Sequence, residues 1–211
     1  MTVVENQTAG HVVLCNISWS TYEAIVAEND NPGRRFTYDR GMLEILSPSR
    51  HHERLKKLIG RMIETLTEEL GIPISSAGST TWKNQTRQQG LEPDECYYIA
   101  NEVRVRGRDE IDLAVDPPPD LAVEVDITSD WIDKLPIYAG LGVPEVWRYD
   151  GKALHVEQLQ PDGTYARQTQ SSAFPFLRLA EIARFLDQRD ATDETTWIRS
   201  FREWVRGLRG S

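Results

Sequence analysis

Basic charge is scarce in this chain. Its 24 Lys and Arg face 33 Asp and Glu, giving a formal net charge of −9 and a pI near 5.0. Proteins that coat nucleic acid without regard to sequence are usually basic, so that class is disfavoured. A nuclease is not, because clustered active-site carboxylates contribute to the negative sum. Its affinity for phosphate would come from local basic patches and bound metal. Cysteine is nearly absent. Cys15 and Cys96 lie far apart without metal-ligand spacing, and they read as free thiols of a reducing cytosol. No apolar run approaches the length of a membrane span. The first ten residues are polar, unlike a signal peptide, so a cytoplasmic protein free of membranes is expected. There is no internal repeat, no Gly-rich phosphate loop and no GxSxG elbow.

What is present suits a globular protein. Residues are 39% hydrophobic and 27% charged, values that with 211 residues allow a core of useful size. A single domain over 1–211 is expected, with a core of about 17–170 and a helical C-terminal extension of about 176–211.

Residues 1–16 read as a loose start with a β-like patch at Val12–Leu14. Ser18–Glu23 carries capping residues that open a helix into Ala24–Ala27, and Asn29–Gly33 has loop chemistry. Arg35–Tyr38 and Met42–Leu46 flank Asp39-Arg40-Gly41 as a β-hairpin. After Ser47-Pro48-Ser49, the spacing of Leu55, Leu58, Ile59, Met62, Ile63 and Leu70 predicts a helix over 51–70, ended by Gly71. Short β-type segments follow at Pro73–Ser76, Ser79–Lys83, Cys96–Ile99 and Leu121–Asp126, with a polar connection at Asn101–Asp109. A helix over about Asp133–Leu141 tolerates Pro136 only near its first turn. Strands are expected at Glu145–Tyr149, Ala153–Leu159 and Thr164–Gln168, then helices at Leu179–Leu186 and around Trp197–Leu208. The order suggests an α/β (α+β) protein, a mixed sheet flanked by helices.

The chemistry concentrates in Asp120-Leu121-Ala122-Val123-Glu124-Val125-Asp126. Strand alternation sends Leu121, Val123 and Val125 one way and Ala122, Glu124 and Asp126 the other. Two carboxylates in an apolar strand are costly unless a cation or a Lys/Arg partner meets them. Mg2+ suits such oxygens. Glu92-Pro93-Asp94 sets a further carboxylate at the head of a strand. Lys134, eight residues after Asp126, can fold back from the next helix to steady charge on a phosphate. His52 sits on the first turn of the long helix, near its apolar face. Together these are parts for metal-assisted phosphodiester hydrolysis.

The ordered set resembles the PD-(D/E)XK nuclease superfamily and, within it, a large bacterial family of restriction-endonuclease-like proteins. The resemblance rests on Ser47-Pro48-Ser49-x-x-His52, Gly90-Leu91-Glu92-Pro93-Asp94 with Tyr97-Tyr98-Ile99, and Pro118-Pro119-Asp120 through Asp126. It continues with Asp133-Lys134, Tyr138-Ala139 and Gly142–Tyr149. It covers roughly 17–170 and is most specific over 118–149. It implies a restriction-endonuclease-like central sheet. It also implies Asp94 as first acid and Glu124 as second; the carboxylates themselves suggest Asp94, Glu124 and Asp126 as holders of Mg2+ or Mn2+. Where the superfamily usually has lysine, two residues after the second acid, this chain has Asp126. The resemblance permits a lysine moved to the next helix, and Lys134 is that candidate, with His52 as an extra helix residue near the metal. Pro119-Asp120 is a competing Pro-Asp, but Asp120 should lie about 13 Å from Glu124 along the strand, so Asp94 is preferred.

Each residue also has a plainer reading. Asp94 can be a strand-end residue, Glu124 an arginine partner, Asp126 a cap for Ile127-Thr128-Ser129, Lys134 a solvated helix lysine, and His52 a helix-start residue. His11, His51 and His155 read as surface or structural, and Trp82, Trp131 and Trp147 as core or pocket wall. Arg199, Arg202, Arg206 and Arg209 read as a solvated helix face before a phosphate patch, and the aromatic inner face of that helix can meet a second subunit. The expected function is a metal-dependent DNA endonuclease acting as a homodimer. The alternatives are a non-catalytic nuclease-fold binding or assembly module and, last, a paired-carboxylate enzyme such as a glycoside hydrolase.

Overall fold

The computed structural model describes residues 3–6, 10–28, 33–127 and 131–208. Thr128, Ser129, Arg209 and most of the Asn29–Gly33 loop lie outside the described residues. No described helix is long and apolar enough to cross a membrane.

Chain order is β1 (Val3–Asn6), β2 (His11–Cys15), α1 (Trp19–Ala27), β3 (Arg35–Asp39), β4 (Met42–Leu46), α2 (Arg50–Leu70), β5 (Ser75–Ser76), β6 (Trp82–Asn84), β7 (Gln89–Leu91), β8 (Glu95–Tyr98), α3 (Glu102–Val105), β9 (Leu121–Val125), α4 (Leu135–Leu141), β10 (Glu145–Tyr149), β11 (Leu154–Leu159), β12 (Tyr165–Gln168), α5 (Leu179–Asp187) and α6 (Glu194–Leu208). The strands form two sheets rather than one. The first is antiparallel, in the order β1-β2-β4-β3-β7-β6, and the second is mixed, in the order β12-β11-β10-β9-β8-β5. Only β9 and β10 run parallel; the connection between them carries α4, as a parallel crossover requires.

Three segments depart from the sequence expectation. Val3–Asn6, within the expected loose start, forms β1 paired with β2. The polar connection contains the single turn α3, whose Val105 is buried while Arg106 clasps Glu102 two-fold at 2.7 and 2.6 Å. Gln89–Leu91 forms β7, held between β3 and β6.

Helix α2 forms as its pattern demands. Ser49 caps it by accepting the His52 N–H at 3.2 Å, and Gly71 closes it at φ 67°, the left-handed geometry that favours glycine. Its apolar stripe, Leu55, Leu58, Ile59, Met62 and Ile63, packs with Leu121, Val123, Val125, Trp147 and Tyr149 on one face of the mixed sheet. Helices α5 and α6 complete that core. Arg202 and Arg206 of α6 are tied to Glu69 of α2 at 2.7 and 2.8 Å, and Arg54 of α2 reaches Glu194 at 3.0 Å. These arginines therefore fasten helix to helix.

The opposite face of the mixed sheet is covered by α4. Ile137, Tyr138 and Leu141 pack on Cys96, Ala122 and Val146, with Trp82 and Leu91 of the antiparallel sheet closing the side. The antiparallel sheet has its own core, where Trp19 and Tyr22 of α1 meet Phe36, Tyr38 and Leu43. Tyr22 and Tyr38 stack at 4.6 Å. The backbone of β7 runs so close beneath them that a Cβ on Gly90 would lie 2.4 Å from the Tyr22 hydroxyl, which only glycine avoids. Immediately after β7 the chain passes through Pro93 and Asp94 into the mixed sheet.

Candidate active site

The centre lies where β8, β9, β10 and the start of α4 meet. In the antiparallel register Cys96 faces Ala122 and Glu95 faces Val123. One step further sets Asp94 opposite Glu124, a position where facing Cβ atoms are about 5 Å apart. The Val125 N–H confirms the approach by donating to Asp94 Oδ2 at 2.8 Å. In the parallel register Arg148 lies beside Glu124, and across the next pair His155 lies beside Arg148. Paired residues share a face, so Asp94, Glu124, Arg148 and His155 form one row across four strands.

Asp94 is buried at 3% exposure and Glu124 at 2%. The Lys134 Nζ donates to Glu124 Oε2 at 2.8 Å, and the Tyr138 hydroxyl donates to Oε1. The lysine on the helix therefore closes on the second acid of the sequence pattern. His52 Nε2 lies 3.2 Å from Asp94 Oδ2, bringing the start of α2 to the first acid. Arg148 Nε lies 2.6 Å from Asp126 Oδ2, so that carboxylate serves a guanidinium. Asp120 is remote from the centre, where it accepts the backbone N–H groups of Ile99 and Asn101 at 2.7 and 2.9 Å. Its role is to fasten the turn after β8.

The electrostatics follow from burial and neighbours. Burial pushes the Glu124 carboxyl up, Lys134 pulls it down, and Asp94 and Asp126 push it up again, for a pKa of about 7. Burial also opposes ionisation of Asp94, but the His52 hydrogen bond and charge, Lys134 and the Val125 N–H outweigh it and lower its pKa. Burial disfavours the charged form of His52, and here Asp94 outweighs burial and raises the pKa. A carboxylate pushed up beside one held down is the division of roles expected where two acids share a site.

Glu124 and Lys134 open onto a cleft of about 780 Å³, lined also by Trp131, Arg148, His155 and Arg167 among others, with Asp94 and His52 buried behind Glu124 rather than on its wall. Tyr138, Arg148, His155 and Arg167 are parts of the site that pattern reading did not assign to it, whereas Trp131 takes the pocket-wall place offered among its readings. The one signal available was Arg148, whose place beside Glu124 follows once β9 and β10 are paired in parallel. Among the described residues no group of three or more His, Cys, Asp or Glu is arranged to hold a metal ion. The groups placed to contribute are Asp94 and Glu124. Two hard oxygen donors fit Mg2+, which binds through one or two carboxylates and keeps several waters.

A family described as "Putative restriction endonuclease", Uma2, matches residues 19–187. A crystal structure from Anabaena variabilis ATCC 29413, described as a putative nuclease belonging to DUF820, superposes with a TM-score of 0.50 at 12% identity. That match covers 81% of this chain and 99% of the other, and at such identity it speaks for the fold. No curated protein matches. With a family match that spans α1 to α5 and takes in Asp94, Glu124 and Lys134, this chain belongs to the Uma2 family of restriction-endonuclease-like proteins.

Proposed function

We propose that the protein is a Mg2+-dependent endonuclease that hydrolyses phosphodiester bonds of DNA at the cleft of Asp94, Glu124 and Lys134. The observation that carries this reading is the 2.8 Å contact between Lys134 Nζ and Glu124 Oε2. It supplies, from α4, the cation that position 126 lacks.

Each side chain then has a physical task. Bound between Asp94 and Glu124, a divalent cation would polarise the scissile phosphate and acidify a water. Lys134 offsets the charge of Glu124 and points an ammonium at the place where negative charge grows on phosphorus. Tyr138 holds the Glu124 carboxylate in one orientation by occupying its other oxygen. His52 does the same for Asp94 from α2. Arg148 neutralises Asp126, which would otherwise add a third negative charge where a phosphate must enter.

The test is calorimetric titration of Mg2+ and Mn2+ into wild type and Glu124→Ala, with plasmid nicking assayed on the same samples. Binding and nicking by wild type, both lost in the variant, are the expected result. A wild type that binds no cation at millimolar concentration sinks the mechanism and leaves a nuclease fold kept for binding or assembly.

A further inference from the structure

Four of the six tryptophans are buried: Trp19, Trp82, Trp147 and Trp197. Trp204 packs partly buried against the core. Trp131 is different, with 55% of its surface exposed on the wall of the cleft that holds Glu124 and Lys134. A single exposed apolar residue is ordinary. This one is held in place. Its N–H donates to Glu44 Oε1 at 2.9 Å, and the next N–H, of Ile132, donates to Oε2 at 3.2 Å. Glu44 is buried at 2% exposure and is itself clasped by His11. Two strands of the antiparallel sheet, β2 and β4, thus fix the backbone that carries the indole. The ring is presented to solvent from a rigid mount, three residues before Lys134.

Its surroundings match a nucleotide. Beyond Glu124, the cleft floor carries Arg148, His155 and Arg167 on successive strands of the mixed sheet. Each of these already meets a carboxylate, Asp126, Asp150 and Glu157 in turn, so the floor is of mixed charge, and the feature that suits a nucleic acid is the aromatic wall, on which an unpaired base can stack. The volume of about 780 Å³ is that of a small-molecule site, with room for a nucleotide or two. A side chain stacks on a base only where the base's own neighbour has left that face, so a base of a duplex must first leave the helix.

We propose that Trp131 is a stacking platform for an unpaired base. The preferred substrate is then single-stranded or locally opened nucleic acid, with Glu44 and His11 acting as positioning residues for the platform. The proposal rests on the nucleic-acid reading of the same cleft and concerns binding, so it is separable from catalysis.

The test is fluorescence anisotropy of labelled 12-nucleotide single strands, the matching blunt duplex, and a duplex with a central bulge, all with chelator present. Wild type is expected to bind the single strand and the bulge at least tenfold more tightly than the blunt duplex. Trp131→Ala should weaken single-strand binding by about tenfold or more, and Trp131→Leu should do likewise despite its apolar bulk. Trp131→Phe should retain most of it. Because the ring is exposed, the melting temperature should stay near wild type. In Glu44→Gln, single-strand affinity should fall while the blunt-duplex affinity stays unchanged, and Trp131→Ala in that background should add little. Equal affinity for single strand and blunt duplex overturns the proposal, as does a Trp131→Ala variant with unchanged single-strand affinity. A dimer seen by light scattering that Trp131→Ala dissolves, with nucleic-acid binding intact, overturns it in favour of self-association. Single-strand binding lost in Trp131→Ala, with no nicking by wild type when Mg2+ is added, upholds this proposal and removes the nuclease reading instead.

Discussion

Arg148 Nε sits 2.6 Å from Asp126 Oδ2, joining the strand that bears the central glutamate to its parallel neighbour. Position 126 faces the cleft, two residues beyond Glu124, and the acid there is tolerated because a guanidinium meets it. Breaking such a pair from one side takes the guanidinium away from a carboxylate only 15% exposed.

Arg148→Met should therefore destabilise the protein. Arg148 is about a third exposed and Asp126 15%, so solvent already screens the pair in part and the loss should be about 1–2 kcal/mol. Urea denaturation of Arg148→Met, Asp126→Asn and the double variant would measure the coupling. A double variant no more stable than the sum of its singles predicts would show that the two side chains act independently.

Lys134→Met should lower cleavage by about 10²–10⁴-fold, the range for a removed electrostatic or proton-transfer group. Lys134→Arg keeps the charge but not the compact ammonium, and it should recover part of the activity. The measurement is single-turnover cleavage at saturating Mg2+, with binding of uncleaved substrate followed in parallel so that loss of affinity is not mistaken for loss of chemistry. A Lys134→Met variant as active as wild type would remove the lysine from the mechanism.

Stability in chelator should fall as pH rises from about 4.5 to about 7. Glu124 has its pKa raised from 4.5 to about 7. Over that window the folded state holds a proton that the unfolded chain has released, so raising the pH favours unfolding. The group contributes its full unfavourable amount above about 7, at most about 3 kcal/mol. The difference between wild type and Glu124→Gln, followed by thermal melts from pH 4 to 8, isolates this group from His52. A flat difference curve refutes the assignment.

Gly90→Ala should destabilise by about 1–3 kcal/mol, the usual range for overpacking. The added methyl meets the Tyr22 hydroxyl, on a ring pinned by its stack on Tyr38. Tyr22→Phe removes the clashing oxygen, so in that background the penalty should shrink. Chemical denaturation of the four proteins checks it, and an equal penalty in both backgrounds would mean that the clash is elsewhere.

Much of this was legible in the residues. The stripe from Leu55 to Ile63 and the cap pair Ser49 and Gly71 specify α2 by themselves. Alternation in Leu121–Asp126 puts Glu124 and Asp126 on one face, and Lys134 is on the page as the next lysine. That the antiparallel strands form a sheet of their own was not legible. Its strand β7 is Gln89-Gly90-Leu91, without a β-branched residue, and it is a strand because β3 and β6 hold it on both sides and Tyr22 leaves room for nothing larger than glycine. Arg148, His155 and Arg167 were hidden for a related reason. They are far from Glu124 in sequence, and only the succession β9-β10-β11-β12 in the mixed sheet brings them to one floor. Local pattern reveals which face a residue takes; it is silent on which strands become neighbours.

A lysine two residues along a strand from the second acid is held to it by covalent geometry, about 7 Å of rigid backbone. In this chain the same partnership is non-covalent. It depends on α4 settling onto the mixed sheet through Ile137, Tyr138 and Leu141. The spacing between ammonium and carboxylate is thereby a property of core packing. Trimming a methyl group beneath α4 would shift that spacing while Glu124 and Lys134 themselves stayed the same.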